Sequence, residues 1–347
     1  MSLRVWLLRE PCCLEEGDPL EYVEVEDPHA GPGEIRLSVR ACGVCHTDLH
    51  TVEGELALPR TPVIPGHEVV GVVDEVGPGV EGIAIGERRG VYWLHEACQE
   101  CDPCRRGAEN LCENPRFTGL HANGGYAEKI VVPARYTVPI PAVFDDHEAA
   151  PLLCAGIIGY RSLRLSELQP GERLALFGFG ASAHLVLQVA RHWGCEVVVY
   201  TRSEDHQRHA LELGALWAGP PGQDIPLLAD RAITFAPAGW IVPHALRAVR
   251  PGGTVALNAI YMTDIPSLPY SLLYGERTLR SVANVTRQDA AEFMKVAGEI
   301  PLRTHTVLYP FERANQALRD VKRSAVKGAA VLVVAPSTSK DAAAPDR

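Results

Sequence analysis

The chain has 347 residues, enough to bury a large core and to form more than one domain. Hydrophobic residues make up 46% and charged residues 22%, with 31 glycines and 27 prolines, which is the composition of a globular protein rich in turns. Thirty-three basic against forty-three acidic side chains give a net charge of −10 without a basic stripe, which argues against nucleic acid or an anionic membrane as partner.

The opening M-S-L-R-V-W-L-L-R-E is too short and too charged for a signal peptide, and no run reaches the roughly 18 apolar residues of a membrane span. A cytoplasmic location is therefore expected, and the ten cysteines are read as metal ligands or buried thiols before disulfides.

Along the first 40 residues, strand-like runs (Leu3 to Leu8, Glu21 to Val25, Glu34 to Val39) alternate with turn residues such as Pro32-Gly33. Next comes C-G-V-C-H-T-D-L-H at 42–50, which crowds a thiol, a hydroxyl and two imidazoles into six residues from Cys45 onward. Such a cluster suits a metal, although a lone cysteine is more often a small hydrophobe. The sequence P-G-H-E at 65–68 places His67 and Glu68 after a turn, and strands are predicted at 69–77, 90–93 and 126–133. Short strands with glycine-rich turns suggest a partly open barrel.

Within this stretch, Cys98, Cys101, Cys104 and Cys112 form C-x2-C-x2-C-x7-C. Four thiolates close a tetrahedral shell and leave no place for substrate, so the site is expected to be structural. Zinc is the favoured metal on this spacing, and an iron-sulfur cluster is the competing reading.

The pattern changes near residue 146. A helical run is predicted from Asp146 to Ser166, with Cys154 inside it in P-L-L-C-A-G. A short strand, Arg173 to Phe177, enters G-F-G-A-S-A and a helix to Trp193, closed by Gly194; a second strand, Glu196 to Tyr200, and a charged helix at 203–213 follow. This is a βαβ unit and implies a parallel sheet. Further strands are expected at 231–235, 254–260, 278–282 and Ala329 to Val334, and the last stretch, 335–347, reads as a disordered tail.

Gly178, Gly180 and Ala183 form G-x-G-x-x-A between strand and helix, small enough to let a pyrophosphate approach the helix N-terminus. The tip of the second strand reads Tyr200, Thr201, Arg202, Ser203 and lacks the acidic residue that would hold a ribose 2′-hydroxyl. Arg202 flanked by hydroxyls suits a 2′-phosphate and favours NADP over NAD; the plainer reading is an arginine pointing into water.

These five motifs in this order resemble the medium-chain zinc-dependent alcohol dehydrogenases, bacterial propanol-preferring or cinnamyl-type, from about residue 20 to 334. The resemblance implies an α/β protein with a GroES-like, partly open β-barrel catalytic domain (1–150 and 300–347) and a doubly wound Rossmann domain (151–299), with the active site in the cleft between them. It assigns Cys45, His67 and Cys154 to a catalytic zinc, Glu68 as a nearby carboxylate, and Asp48 as the hydrogen-bond partner that fixes the ligand imidazole. It assigns the four-cysteine lobe to a second, structural zinc. Thr47 and His50 are then the proton relay, His46 faces the cofactor phosphates, and Trp93 lines the pocket of a small alcohol or aldehyde. Cys12, Cys13, Cys42 and Cys195 match no ligand position.

Two departures bear on the cofactor. Ile158 stands where many relatives carry Thr, and Ala329 where many carry an arginine that reaches the pyrophosphate; Lys327 or His46 is the expected substitute for that charge. The expected activity is reversible hydride transfer between an alcohol and NAD(P) in a homodimer or homotetramer. An NADPH-dependent cinnamyl-type aldehyde reductase is the alternative within enzymes, and a zinc-ribbon interaction module with an inert nucleotide domain the alternative outside them.

Overall fold

A computed structural model describes residues 2–223 and 228–335. The expected tail therefore lies, from 336 on, outside the described residues. Strands β1 (Ser2–Leu8) and β2 (Leu20–Glu26) pair antiparallel, and the long β3 (Glu34–Val44) leads into helix α1 (His46–Val52). Next come β4 (Glu68–Val76), β5 (Arg88–Val91), β6 (Leu94–Glu96), α2 (Asp102–Arg105), β7 (Arg116–Phe117), β8 (Lys129–Pro133) and β9 (Thr137–Pro139).

Helices then alternate with strands: α3 (Asp146–Ala149), α4 (Ala155–Ser166), β10 (Arg173–Phe177), α5 (Ala181–His192), β11 (Glu196–Tyr200), α6 (Glu204–Glu212) and β12 (Trp217–Gly219). The alternation continues with β13 (Ala229–Thr234), α7 (Ile241–Ala248), β14 (Val249–Leu257), β15 (Thr278–Ser281) and α8 (Arg287–Glu299). The last elements are β16 (Thr306–Pro310), α9 (Ala314–Lys322) and β17 (Ala329–Val333).

The described residues divide into two compact units. The first gathers those of Met1–Cys154, Thr286–Gly298 and Thr304–Arg347; the second is Ala155–Val285 with Glu299–Arg303. The first boundary falls at 154/155 where 150/151 was expected, and 286–298 joins the β-rich unit and not the expected Rossmann domain of 151–299 because α8 packs there. Its N-terminus is tied there by Glu109, which accepts from the Arg287 amide at 2.6 Å and from its guanidinium at 2.8 Å, while Phe293 and Met294 are buried.

In the first unit, a seven-stranded sheet runs β16-β17-β3-β4-β5-β9, with β8 also on β3. Its end strands β16 and β9 do not pair with each other, which leaves the curved sheet open. β17 is buried along Ala330 to Leu332 and lies antiparallel to β3, with Leu332 opposite Cys42 and Ala330 opposite Val44. The C-terminal strand thus backs the cysteine-histidine stretch. Burial of Leu37, Val69, Ile130, Leu318 and Leu332 makes one apolar core under it, each such side chain stabilising by about 2 kcal/mol.

The second unit is a six-stranded parallel sheet in the order β12-β11-β10-β13-β14-β15. Counted along the chain this is 3-2-1-4-5-6, the doubly wound order whose strand direction of growth reverses between β10 and β13. β14 begins at Val249, earlier than the expected 254, because its first residues pair with β13 across a register shift.

The helical run expected at 146–166 is broken. α3 ends at Ala149, a 3₁₀ turn covers Ala150–Leu153 with Pro151 in its first turn, and Cys154 has φ −122° and ψ −73° before α4 starts. Proline lacks the amide that would continue the ladder. The break turns Cys154 out of a helix interior.

Candidate active site

Cys45 is the N-cap of α1. Its Sγ accepts from the Thr47 amide at 3.3 Å, and Asp48 Oδ2 accepts from the Cys45 amide at 2.9 Å. The other carboxylate oxygen of Asp48, Oδ1, lies 3.1 Å from His67 Nδ1, so His67 presents Nε2, 3.4 Å from Cys45 Sγ. Asp48, His67 and Glu68 are all buried. Cys45, His67, Glu68 and Cys154 bring their ligand atoms within 4.8 Å of one another, although they come from α1, the turn into β4 and the break before α4. Gly43 makes room for this: a Cβ there would come within 1.8 Å of Glu68 Oε2.

The electrostatics fit a cation. Contact with Cys154 and then burial push the Cys45 thiol well up, and burial followed by the Cys45 charge does the same to Glu68. Burial disfavours the His67 imidazolium, but Asp48 and Cys45 outweigh it and hold that group well above its ordinary value. Two thiols, two carboxyls and an imidazole packed away from water cannot all ionise without a positive charge among them. A tetrahedral zinc with sulfur at about 2.3 Å and nitrogen at about 2.0 Å places those donors about 3.5 Å apart, close to the Cys45–His67 spacing.

Thr47 is half-buried and His46 exposed on the first turn of α1. The chain folds back after the helix, the amides of Glu55 and Leu56 both donating to the His50 carbonyl at 2.9 and 3.1 Å. This return brings the Glu55 carboxylate onto His50 Nδ1. Trp93 meets His67 edge-on at 5.0 Å between ring centroids and stacks on Phe117 at 4.9 Å, and Phe117 meets His121 at 5.3 Å. Glu55, Phe117 and His121 were not found from the sequence. Nothing in H-x4-E signals a turn back onto the imidazole, and Phe117 reaches Trp93 only because β6 and β7 pair.

The four cysteines at 98–112 form the second cluster, with ligand atoms within 4.8 Å of one another. Cys98 and Cys104 sulfurs are 3.9 Å apart, as are those of Cys101 and Cys112. One tetrahedral ion with thiolates at about 2.3 Å requires sulfur edges of about 3.8 Å. A multi-iron cluster would spread the sulfurs around its own volume, so the spacing fits a single ion. Amides of Cys98 and Asn114 donate to Cys112 Sγ and that of Cys101 to Cys98 Sγ, each at 3.3 Å. Amides of Cys101 and Glu100 pull the Cys98 thiol down to about 7, whereas burial and the neighbouring sulfurs push Cys104 up to about 12. The remaining cysteines lie outside both clusters: Cys42 and Cys195 are buried and donate to the carbonyls of Gly43 and Gln169.

In the second unit, Gly178 follows β10 at the reversal point, in the left-handed region at φ +91°, with a would-be Cβ 3.0 Å from the Ala236 amide nitrogen after β13. Gly180 caps α5 with open space at its Cβ position, and Ala183 is fully buried. These are the conditions for a pyrophosphate against the helix N-terminus. At the tip of β11, Thr201 is buried and Ser203 caps α6, its Oγ accepting from the His206 amide at 3.3 Å. Arg202 is exposed. Ile158 and Ala329 are half-buried and Lys327 exposed.

Comparison with known proteins agrees with this arrangement. Residues 31–142 match the alcohol dehydrogenase GroES-like domain, and 181–299 the zinc-binding dehydrogenase domain. A probable alcohol dehydrogenase of Mycobacterium tuberculosis is 47% identical over 339 residues, covering 96% of this chain and 98% of the relative. An alcohol dehydrogenase of Geobacillus stearothermophilus is 35% identical over 326 residues, covering 91% and 96%. The solved structure of a cinnamyl alcohol dehydrogenase from Sorghum bicolor superposes with a TM-score of 0.86 at 26% identity, covering 98% of this chain and 100% of that one. With a matching fold, two thiol-rich clusters and full-length relatives at this identity, the chain belongs to the medium-chain zinc-dependent alcohol dehydrogenase family.

Proposed function

We propose that the protein oxidises small primary or secondary alcohols reversibly, using two zinc ions per chain and NAD(P), with NADP preferred. The observation that carries the reading is the convergence of Cys45, His67, Glu68 and Cys154 on one point. Cys45, His67 and Cys154 would hold the catalytic ion, and Cys98, Cys101, Cys104 and Cys112 the structural one. Zinc supplies a Lewis acid that lowers the pKa of an alcohol, and the nicotinamide supplies the hydride acceptor or donor.

The chain's own groups do the rest. Asp48 fixes the His67 tautomer, so that Nε2 is the free donor. Thr47 accepts the alcohol proton, and His50 returns it to solvent, with Glu55 taking the far side of the imidazole. Trp93, backed by Phe117, walls the substrate space and favours short chains. His46 would face the cofactor phosphates. Arg202 supports the preference for NADP: among the described residues it has no hydrogen-bond or ion-pair partner, which leaves its guanidinium available for a 2′-phosphate. Its neighbours Thr201 and Ser203 add hydroxyls, although the Ser203 oxygen already caps α6.

The same Arg202 favours a second reading, an NADPH-dependent cinnamyl-type aldehyde reductase. Zinc content measured together with initial rates on ethanol, hexanol and cinnamaldehyde, each with NAD(H) and NADP(H), separates the two. One zinc per chain and no nicotinamide signal with any of these substrates would refute both. A homodimer or homotetramer is the expected assembly, since β15 is an edge strand preceded in sequence by the exposed Tyr270 and Tyr274; sedimentation of a monomer alone would refute that.

A further inference from the structure

Cys12 and Cys13 lie outside both metal clusters, half-buried in the connection between β1 and β2. Lys322, the last residue of α9, brings its Nζ to 3.5 Å from Cys13 Sγ and 2.5 Å from Glu53 Oε1. Glu53 is the C-cap of α1 and also accepts from the Leu14 amide at 2.9 Å. Sulfur, amine and carboxylate from three separate elements thus meet in one cluster. The Lys322 side chain is 29% exposed and that of Glu53 14%, open enough for a small oxidant yet held by packing. An ion pair alone would not need the thiol, and a Lys–Glu pair still reached by solvent stabilises little.

We propose that Cys13 and Lys322 form an oxidative modification site, in which dioxygen joins them through a single oxygen as a sulfur–oxygen–nitrogen bridge. The S–H bond of Cys13 and two N–H bonds of the Lys322 ammonium break, while S–O and O–N bonds form. One oxygen atom enters the bridge and the other leaves as water. Sulfur and nitrogen each lose two electrons, and dioxygen takes up all four. The proton released from the ammonium passes to Glu53 and then to solvent. Lys322 loses its charge, Glu53 loses its countercharge, and the connection after β1 becomes tethered to the end of α9. Thiols reverse the bridge, as they reverse the other singly oxygenated states of cysteine.

The test uses the zinc-loaded full chain, incubated in air or under nitrogen and digested for mass spectrometry. The expected product in air is a linked pair of peptides containing Cys13 and Lys322, heavier than their sum by one oxygen and lighter by two hydrogens. It should persist in Cys12→Ser and be absent in Cys13→Ser, in Lys322→Met and after dithiothreitol. The linked form should also melt several degrees higher than the reduced form, a shift missing in Lys322→Met, because a tether between distant residues restricts the unfolded chain. A Cys12–Cys13 disulfide, an oxygenated Cys13 with Lys322 unmodified, or an unchanged Cys13 thiol after prolonged aeration would each overturn the proposal.

Discussion

At the scale of single residues, the proposed site depends on side chains outside the candidate ligand set. Asp48 divides its two oxygens between the Cys45 amide and His67 Nδ1, so one carboxylate sets both the helix start and the imidazole orientation. Asp48→Asn keeps the volume but places an amide against one of those donors. Zinc affinity at the Cys45 cluster is expected to fall by about 10- to 100-fold, while the four-cysteine lobe keeps its metal; competition with a chromophoric chelator reads both. An unchanged affinity would show that His67 is oriented by burial alone. His50 carries the second prediction. His50→Gln should lower turnover at neutral pH by roughly 100-fold, the low end of what a placed proton carrier contributes. Equal turnover of the variant and the parent would remove His50 from the relay.

At the scale of elements, the lobe around β6 and β7 joins the four-cysteine cluster to the aromatic wall. His95, in β6, is 5% exposed, and its Nδ1 has no hydrogen-bond partner. Burial first, and then the charge of Arg116, push its imidazole down to about 4. An unfolded histidine titrates near 6.5, so between these values the unfolded chain takes up the proton that the folded chain refuses. His95 therefore opposes unfolding fully above pH 6.5, and that contribution is lost as pH falls towards 4, about 3 kcal/mol over the window. Replacing His95 with Phe removes this dependence. The difference in urea midpoint between parent and variant is expected to change steadily between pH 6.5 and 4, and a constant difference would refute the assignment. Helix α8 is held to the same lobe through Glu109, a buried carboxylate whose partners are the Arg287 amide and guanidinium.

At the scale of the whole molecule, both candidate metal clusters lie in the first unit, and the G-x-G-x-x-A turn and Arg202 in the second. No helix among the described residues is long and apolar enough to cross a membrane. Cofactor choice is expected to rest on Arg202. Arg202→Ala should raise the KM for NADP by about 10- to 100-fold, the loss of one charge-assisted contact, and leave that for NAD within about threefold, because NAD has no 2′-phosphate to lose. A parallel loss with both cofactors would mean that the arginine only shapes the strand tip.

The C-x2-C-x2-C-x7-C cluster was legible from its spacing, whereas Cys45, His67 and Cys154 are weak signals one by one and were assigned only through the resemblance of the ordered motifs. The strands Arg173–Phe177 and Glu196–Tyr200 were also legible, since a short apolar run between turn residues fixes both its ends. Contacts between distant segments were not. The break at Pro151 was a local signal, since proline cannot continue the hydrogen-bond ladder, and the helix expected over 146–166 ran through it. The tertiary structure decided that α8 joins the β-rich unit and that Glu55 closes on His50. It also placed Lys322 against Cys13. Each depends on a partner far along the chain or on a turn in three dimensions, whereas local pattern records only what a residue's near neighbours require.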